Sequence, residues 1–234
     1  MYLSRLALDP RDRGVRRDLA DVYQMHRTIM SAFPQVEEPG QARTRLAVLY
    51  RVDADRRTGR VVLLVQSKLK PDWDCLPAGY LADGVGELSN PATKSVAAAW
   101  AALRAGQTLR FRLRANPTKK IDTKSGPDGR RRHGRRVDLR TEAQQIDWLA
   151  RRAERAGFGL LPVLSDSDVP AVRVGAGEKL LGKGRRLTLV GVRFEGLLQI
   201  EDLDRFRRAL EEGIGPGKAF GCGLMSVAPY RRHA

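Results

Sequence analysis

The sequence predicts an α+β fold made of two successive βαββαβ units with antiparallel sheets. Three observations lead there. Stretches that alternate apolar and polar residues recur along the chain, as half-buried strands require. Amphipathic stretches of helical period, Ala20–Phe33 in the first half and Thr141–Ala156 and Asp202–Glu212 in the second, fall between those strands. The 234 residues suffice for two units of about a hundred residues, each able to bury its own core. This order is the tandem ferredoxin-like, or RRM-like, arrangement. The expected division is a first unit over residues 1–116, a basic linker over 117–135 and a second unit over 136–234.

Tyr2–Leu8 alternates cleanly and reads as a strand that ends at Asp9-Pro10. Arg11–Leu19 forms a charged helical lead-in to Ala20–Phe33, where Pro34, Pro39 and Gly40 break the pattern. Arg45–Val52 and Arg60–Gln66 are rich in Val and Leu, and the polar segment between them reads as a hairpin turn. Asp72–Gly106 reads as a loop followed by an Ala-rich helix or helical turn. Gln107–Ala115 alternates Leu109, Phe111 and Leu113 with Arg110, Arg112 and Arg114, and is expected to close the first unit.

The second unit is expected to start with a short strand, Arg136–Leu139, followed by the Thr141–Ala156 helix with Thr141 as its cap. Phe158–Leu164, Ala171–Val174 and Arg186–Leu198 read as strands, Asp202–Glu212 as a helix and Gly223–Ala228 as the last strand. The repeat is one of topology, without sequence self-similarity.

Lys and Arg number 43 against 27 acidic residues, giving a net charge of +16 and a pI near 10.7. That balance points to a polyanionic partner, nucleic acid first and an anionic membrane second. The longest apolar run, Val96–Leu103, is far short of the roughly twenty residues of a membrane span, so the expectation is a cytoplasmic protein. Two cysteines, Cys75 and Cys222, and three scattered histidines, His26, His133 and His233, show no metal-ligand spacing. Chemistry without a metal or cofactor is expected.

Three places carry candidate chemistry. In Ala20–Phe33, the residues Val22, Met25, Ile29 and Phe33 fall in one apolar stripe, and His26 sits at its edge beside Tyr23 and Arg27. Asp21 is positioned to cap this helix. A titratable imidazole, a phenol and a guanidinium therefore converge where buried surface meets water, a pattern that serves either a structural helix border or proton transfer. In Pro117–Arg136, eight Lys and Arg stand against Asp122 and Asp128, a run that is either a solvated loop or a polyanion grip. In Gly213–Gly223, five glycines surround Lys218, without Walker or dinucleotide spacing. Glycines at this density let backbone amides approach an anion.

The segments MYLSRLALDPR, RRDLADVYQMHRTI, LRFRLRANPTK and GIGPGKAFGCGLMSVAP, in this order and over nearly the full length, resemble the CasE family of CRISPR-associated endoribonucleases. Members process precursor CRISPR RNA in the type I-E Cascade complex. The resemblance implies tandem ferredoxin-like domains, metal-independent cutting of the repeat hairpin and retention of the product. It places the catalytic pair on Tyr23 and His26. It extends RNA contact to Arg27, to the strand and loop carrying Arg110, Arg112, Arg114, Lys119, Lys120, Arg130, Arg131, Arg132, Arg135 and Arg136, and to Gly215, Gly217, Lys218 and Gly221.

The reaction so implied is attack of the 2′-hydroxyl on the adjacent phosphorus, giving a 2′,3′-cyclic phosphate, or 3′-phosphate, and a 5′-hydroxyl, with His26 as principal proton-transfer group. Partners implied are the CRISPR repeat hairpin or crRNA and other Cascade subunits of the CasC-type backbone. No membrane and a monomeric free state are expected. A non-catalytic RNA-binding subunit that caps a guide-RNA hairpin is the competing reading.

Overall fold

The structure is a computed structural model of the 234-residue chain, and it describes every residue except 37–40, 42–44, 56, 84–88, 122–134, 164–168, 184–186 and 231–234; of Arg135 it describes the backbone alone. Strand β1 (Tyr2–Leu8) leads into α1 (Arg13–Ala20) and α2 (Val22–Met30), then into β2 (Leu49–Ala54) and β3 (Val61–Ser67). A single 3-10 turn at Trp73–Cys75 precedes β4 (Ala92–Ser95). These strands form an antiparallel sheet in the order β2-β3-β1-β4.

The two helices are separate because Asp21 cannot serve both. Its extended backbone ends α1, and its carboxylate accepts the Tyr23 amide at 3.0 Å to begin α2. Asp12 caps α1 in the same way through the Val15 amide. Val15, Met25 and Ile29 then bury against Leu6, Leu8, Leu63 and Val65 of the sheet. One carboxylate goes in with them: Asp18 is 1 % exposed, accepts the Tyr80 hydroxyl at 2.9 Å and pairs with Arg17 at 2.8 Å. Its charge is therefore hydrogen-bonded on both oxygens, which is what allows it below the surface.

Helix α3 (Ala97–Ala101) links to β5 (Thr108–Ala115), followed by the paired strands β6 (Thr118–Ile121) and β7 (Arg135–Asp138). Then come α4 (Glu142–Arg155), β8 (Phe158–Leu160), β9 (Val172–Val174), β10 (Glu178–Gly182), β11 (Leu187–Ile200), α5 (Leu203–Glu212) and β12 (Met225–Pro229). The second sheet has six strands in the order β10-β11-β5-β12, with β8 and β9 also pairing with the long β11. Both sheets thus show the fourth-first-third-second strand order of a ferredoxin-like unit, and the fold is tandem ferredoxin-like. Leu109, Phe111, Leu113, Phe158, Phe194, Phe206 and Leu210 fill the second core. No helix among the described residues is long and apolar enough to cross a membrane.

Two strand assignments differ from expectation. Gln107–Ala115 does not close the first sheet: β5 lies at the centre of the second, between β11 and β12. The closing strand is β4, which pairs with β1 through Tyr2↔Ser95. Arg136–Leu139 correspondingly does not open the second unit; β7 pairs only with β6. The alternation in 107–115 specifies a strand with one buried face, and that face is satisfied equally by either core. The Ala-rich helix is present as α3 but follows the closing strand rather than preceding it.

The sheets are tied together by a buried cation. Arg51 of β2, 3 % exposed, donates through Nη1 to the carbonyls of Arg112 at 3.0 Å and Leu224 at 3.4 Å and to Ser226 Oγ at 3.0 Å, while its Nε holds Asp53 at 2.9 Å. From β3, the Gln66 amide donates to the Leu210 carbonyl at 2.8 Å, at the end of α5. Arg51→Leu would strand Asp53 and two carbonyls, each short of a donor. Urea unfolding of that variant is expected to show a loss of about 3 kcal/mol with an unchanged m-value.

Candidate functional site

Helix α2 places its functional side chains by periodicity. Val22, Met25 and Ile29 point into the core, which leaves Tyr23 and His26 half-buried at the border and Arg27 exposed. The Tyr23 ring is held from two directions by residues from the far end of the chain. Phe220 meets it edge-to-face at 5.0 Å and 78°. On the other side is Gly182, at the end of β10, where a Cβ would lie 2.5 Å from Tyr23 Cε2. Only a residue without a side chain leaves that slot open.

His26 Nδ1 is buried and has no hydrogen-bond partner among the described residues. Burial pushes the imidazole below its ordinary value near 6.5. At neutral pH the ring is therefore uncharged and able to accept a proton. Cys222 is a different case. Its buried thiol is pushed up to about 11, so it packs as a small apolar group rather than serving as a nucleophile.

The glycine-rich segment splits into two parts. Gly213, Gly215, Gly217, Gly221 and Gly223 all have positive φ. Residues 221–223 are buried, and a Cβ at Gly221 would lie 3.0 Å from the Tyr50 ring of β2. Gly221 is thus fixed by packing and does not present an open anion cradle. Gly215 and Lys218 lie on the rim of a cleft, and Gly217 folds beside Leu189 and Cys222.

The arginine stripe of β5 is likewise divided. Arg110 is exposed and stacks over the Tyr230 ring at 5.4 Å. Arg112 pairs with Glu195 at 2.5 Å and with Asp53 at 3.7 Å. Arg114 is 8 % exposed, held by Glu178 at 2.5 Å, and works as a structural cation. On the β6–β7 ribbon, Lys119 and Lys120 are exposed, and Arg136 is exposed beside the Thr118 hydroxyl at 3.4 Å. Arg135 pairs through its backbone with Ile121, and Arg130, Arg131 and Arg132 lie outside the described residues. Sequence reasoning named Tyr23 and His26 but missed Phe220 and Gly182. Phe220 carried a signal, as the one aromatic inside the glycine segment; Gly182 carried none.

Among the described residues, no three His, Cys, Asp or Glu side chains gather as metal ligands.

Comparison with known proteins places the chain. The model of the family described as CRISPR associated protein matches residues 1–229. The chain is 38 % identical to the CRISPR-associated endoribonuclease Cse3 of Thermus thermophilus, over 98 % of this chain and 100 % of that protein. It is 33 % identical to the CRISPR system Cascade subunit CasE of Escherichia coli, again over 98 % and 100 %. Its fold matches the structure of Thermus thermophilus Cse3 bound to an RNA representing a pre-cleavage complex, with a TM-score of 0.75 and 38 % identity over 97 % of this chain and 98 % of that one.

Two outcomes follow from the corner geometry. Gly182→Ala forces the Tyr23 ring out of its slot, and urea unfolding should report a loss of about 1–3 kcal/mol, the usual cost of overpacking. For His26, the folded state disfavours the protonated ring, so the unfolded chain binds more protons below about pH 6.5. Stability should therefore be flat above that pH and fall as pH drops below it. In urea titrations from pH 7.5 to 5, His26→Gln should lose the part of this slope that His26 contributes.

Proposed function

The chain belongs to the CRISPR-associated protein family, and from that premise we propose that it is a metal-independent endoribonuclease that cuts the repeat hairpin of precursor CRISPR RNA. It then retains the crRNA as a subunit of a Cascade surveillance complex, in the cytoplasm. The observation that carries this reading is the neutral, half-buried imidazole of His26, set beside the packed ring of Tyr23 on a helix border. The relatives add weight, one being named an endoribonuclease and another a Cascade subunit.

The 2′-hydroxyl beside the scissile bond attacks phosphorus in line, and its proton leaves as the O–P bond forms. The bond to the 5′-oxygen breaks, and that oxygen takes up a proton, giving a 2′,3′-cyclic phosphate and a 5′-hydroxyl. His26 is the principal proton-transfer group. Its depressed pKa keeps the ring ready to accept a proton at pH 7, and positioned transfer of this kind is worth roughly 10²–10⁴-fold in rate. Tyr23, clamped between Phe220 and Gly182, orients the ribose or assists the transfer. Arg27 stabilises the charge that builds on phosphorus.

Recognition rests on the shape of an A-form stem, gripped through its phosphates. Lys119, Lys120 and Arg136 on the β6–β7 ribbon and Arg110 on β5 are the exposed cations suited to it. Arg112 and Arg114 contribute by holding the sheet. Because most contacts lie on the stem, which remains attached after the cut, substrate and product bind alike and release is slow.

The deciding measurement is single-turnover cleavage of a repeat hairpin in EDTA. Wild type should cut the all-ribose substrate and leave one with a single 2′-deoxy group at the scissile position intact. His26→Ala should slow cutting by about 10²–10⁴-fold while hairpin affinity stays within about threefold. A wild type that binds the hairpin but leaves the all-ribose substrate uncut would instead make the chain a non-catalytic hairpin cap, and unchanged cutting by His26→Ala would remove His26 from the proton transfer.

A further inference from the structure

A cleft of about 460 Å3 opens between α4, α5 and the start of the glycine segment, apart from the Tyr23–His26 corner. Its walls carry Arg136, Arg152, Arg155, Arg205, Arg208 and Lys218 against a single carboxylate, Glu212. Arg205 is partly balanced by Asp202, 3.1 Å away. Among the described residues, no carboxylate pairs with Arg152, Arg155 or Arg208. Arg152 is pre-oriented, its guanidinium lying 5.5 Å over the ring of Trp148, a core residue 4 % exposed. Burial, with Arg155, Arg136 and Arg151 nearby, lowers its affinity for its own proton. Like charges gathered around a concave wall repel one another, a cost that a bound polyanion removes.

We propose that this cleft is a second phosphate-binding subsite, one that holds single-stranded RNA continuing from the hairpin beyond the scissile bond. The proposal rests on the chain acting on RNA, and it assigns a role to Arg152, Arg155, Arg205 and Arg208. Two features point to a single strand. The cleft has room for the phosphates of one strand to enter singly. Its rim is also continuous with the scissile corner. Gly215, Pro216 and Lys218 line the cleft, and the 3-10 turn that Lys218 begins ends at Phe220, against Tyr23. A strand crossing that turn passes from the corner into the cleft.

The test uses the full chain and three RNAs carrying the 2′-deoxy block: the bare hairpin, the hairpin with a 5′ single-stranded extension and the hairpin with a 3′ extension. Wild type should bind one extended RNA about tenfold more tightly than the bare hairpin, with a salt slope steeper by about 0.7 for each added phosphate contact. Arg155→Gln/Arg208→Gln changes two exposed side chains and should abolish that gain. Affinity for the bare hairpin and cleavage of the all-ribose hairpin should stay within about twofold of wild type. Three results would overturn the proposal: no gain from either extension in wild type, a gain that survives in the variant, or an equal loss on bare and extended RNA. Failure of wild type to cut the all-ribose hairpin would instead count against the nuclease reading, whatever the extensions do.

Discussion

The placement of the candidate site depends on Arg51. This side chain is 3 % exposed, yet it carries a charge across the junction between the sheets, and it tolerates burial because Nε is paired with Asp53 and Nη1 donates to acceptors of the second sheet. Two of its acceptors, the Arg112 carbonyl and the Ser226 hydroxyl, lie on neighbouring strands of the second sheet. A cation that must meet these groups together with Asp53 permits little sliding of one sheet past the other. Gln66, reaching the end of α5, adds a second point of attachment some distance along the first sheet. With two attachments the orientation is set, and α2 is brought against the glycine-rich segment.

That orientation explains why the glycine segment looks unlike a phosphate loop. Its inner half is pressed against β2, where Leu49 and Tyr50 leave no space for side chains at Gly213 and Gly221. The same packing delivers Phe220 to Tyr23. The glycines are thus an adaptation to close contact between the two halves, and the outer part, Gly215 to Lys218, is what remains to face a ligand. A segment read locally as an anion cradle is first a packing surface and only at its rim a charged one.

Electrostatics divides along the same line. A net charge of +16 does not imply that each arginine meets a polyanion. Arg51 and Arg114 are buried cations each held by a carboxylate, Asp53 and the exposed Glu178, and Arg112 is shared between Glu195 and Asp53. Further cations gather on the β6–β7 ribbon and around the cleft between α4 and α5. Burial acts in the opposite sense on His26, where the loss of water keeps the ring neutral and chemically useful at physiological pH.

By itself the sequence determined the local elements and their exposed and buried faces. Alternation marked β1 and β5, richness in Val and Leu marked β3, the apolar stripe of Val22, Met25 and Ile29 marked α2, and Asp21 and Thr141 marked two helix starts, since each of these signals is written within a few consecutive residues. The spacing of Tyr23 and His26 was legible for the same reason. Only the tertiary structure decided that β5 joins the second sheet, that Arg114 is an interior ion-pair partner, and that Gly182 and Phe220 enclose Tyr23. These outcomes depend on which of two equally apolar surfaces a strand covers, and on which distant side chains meet once the sheets are clamped. Periodicity along the chain specifies a face but carries no information about its partner.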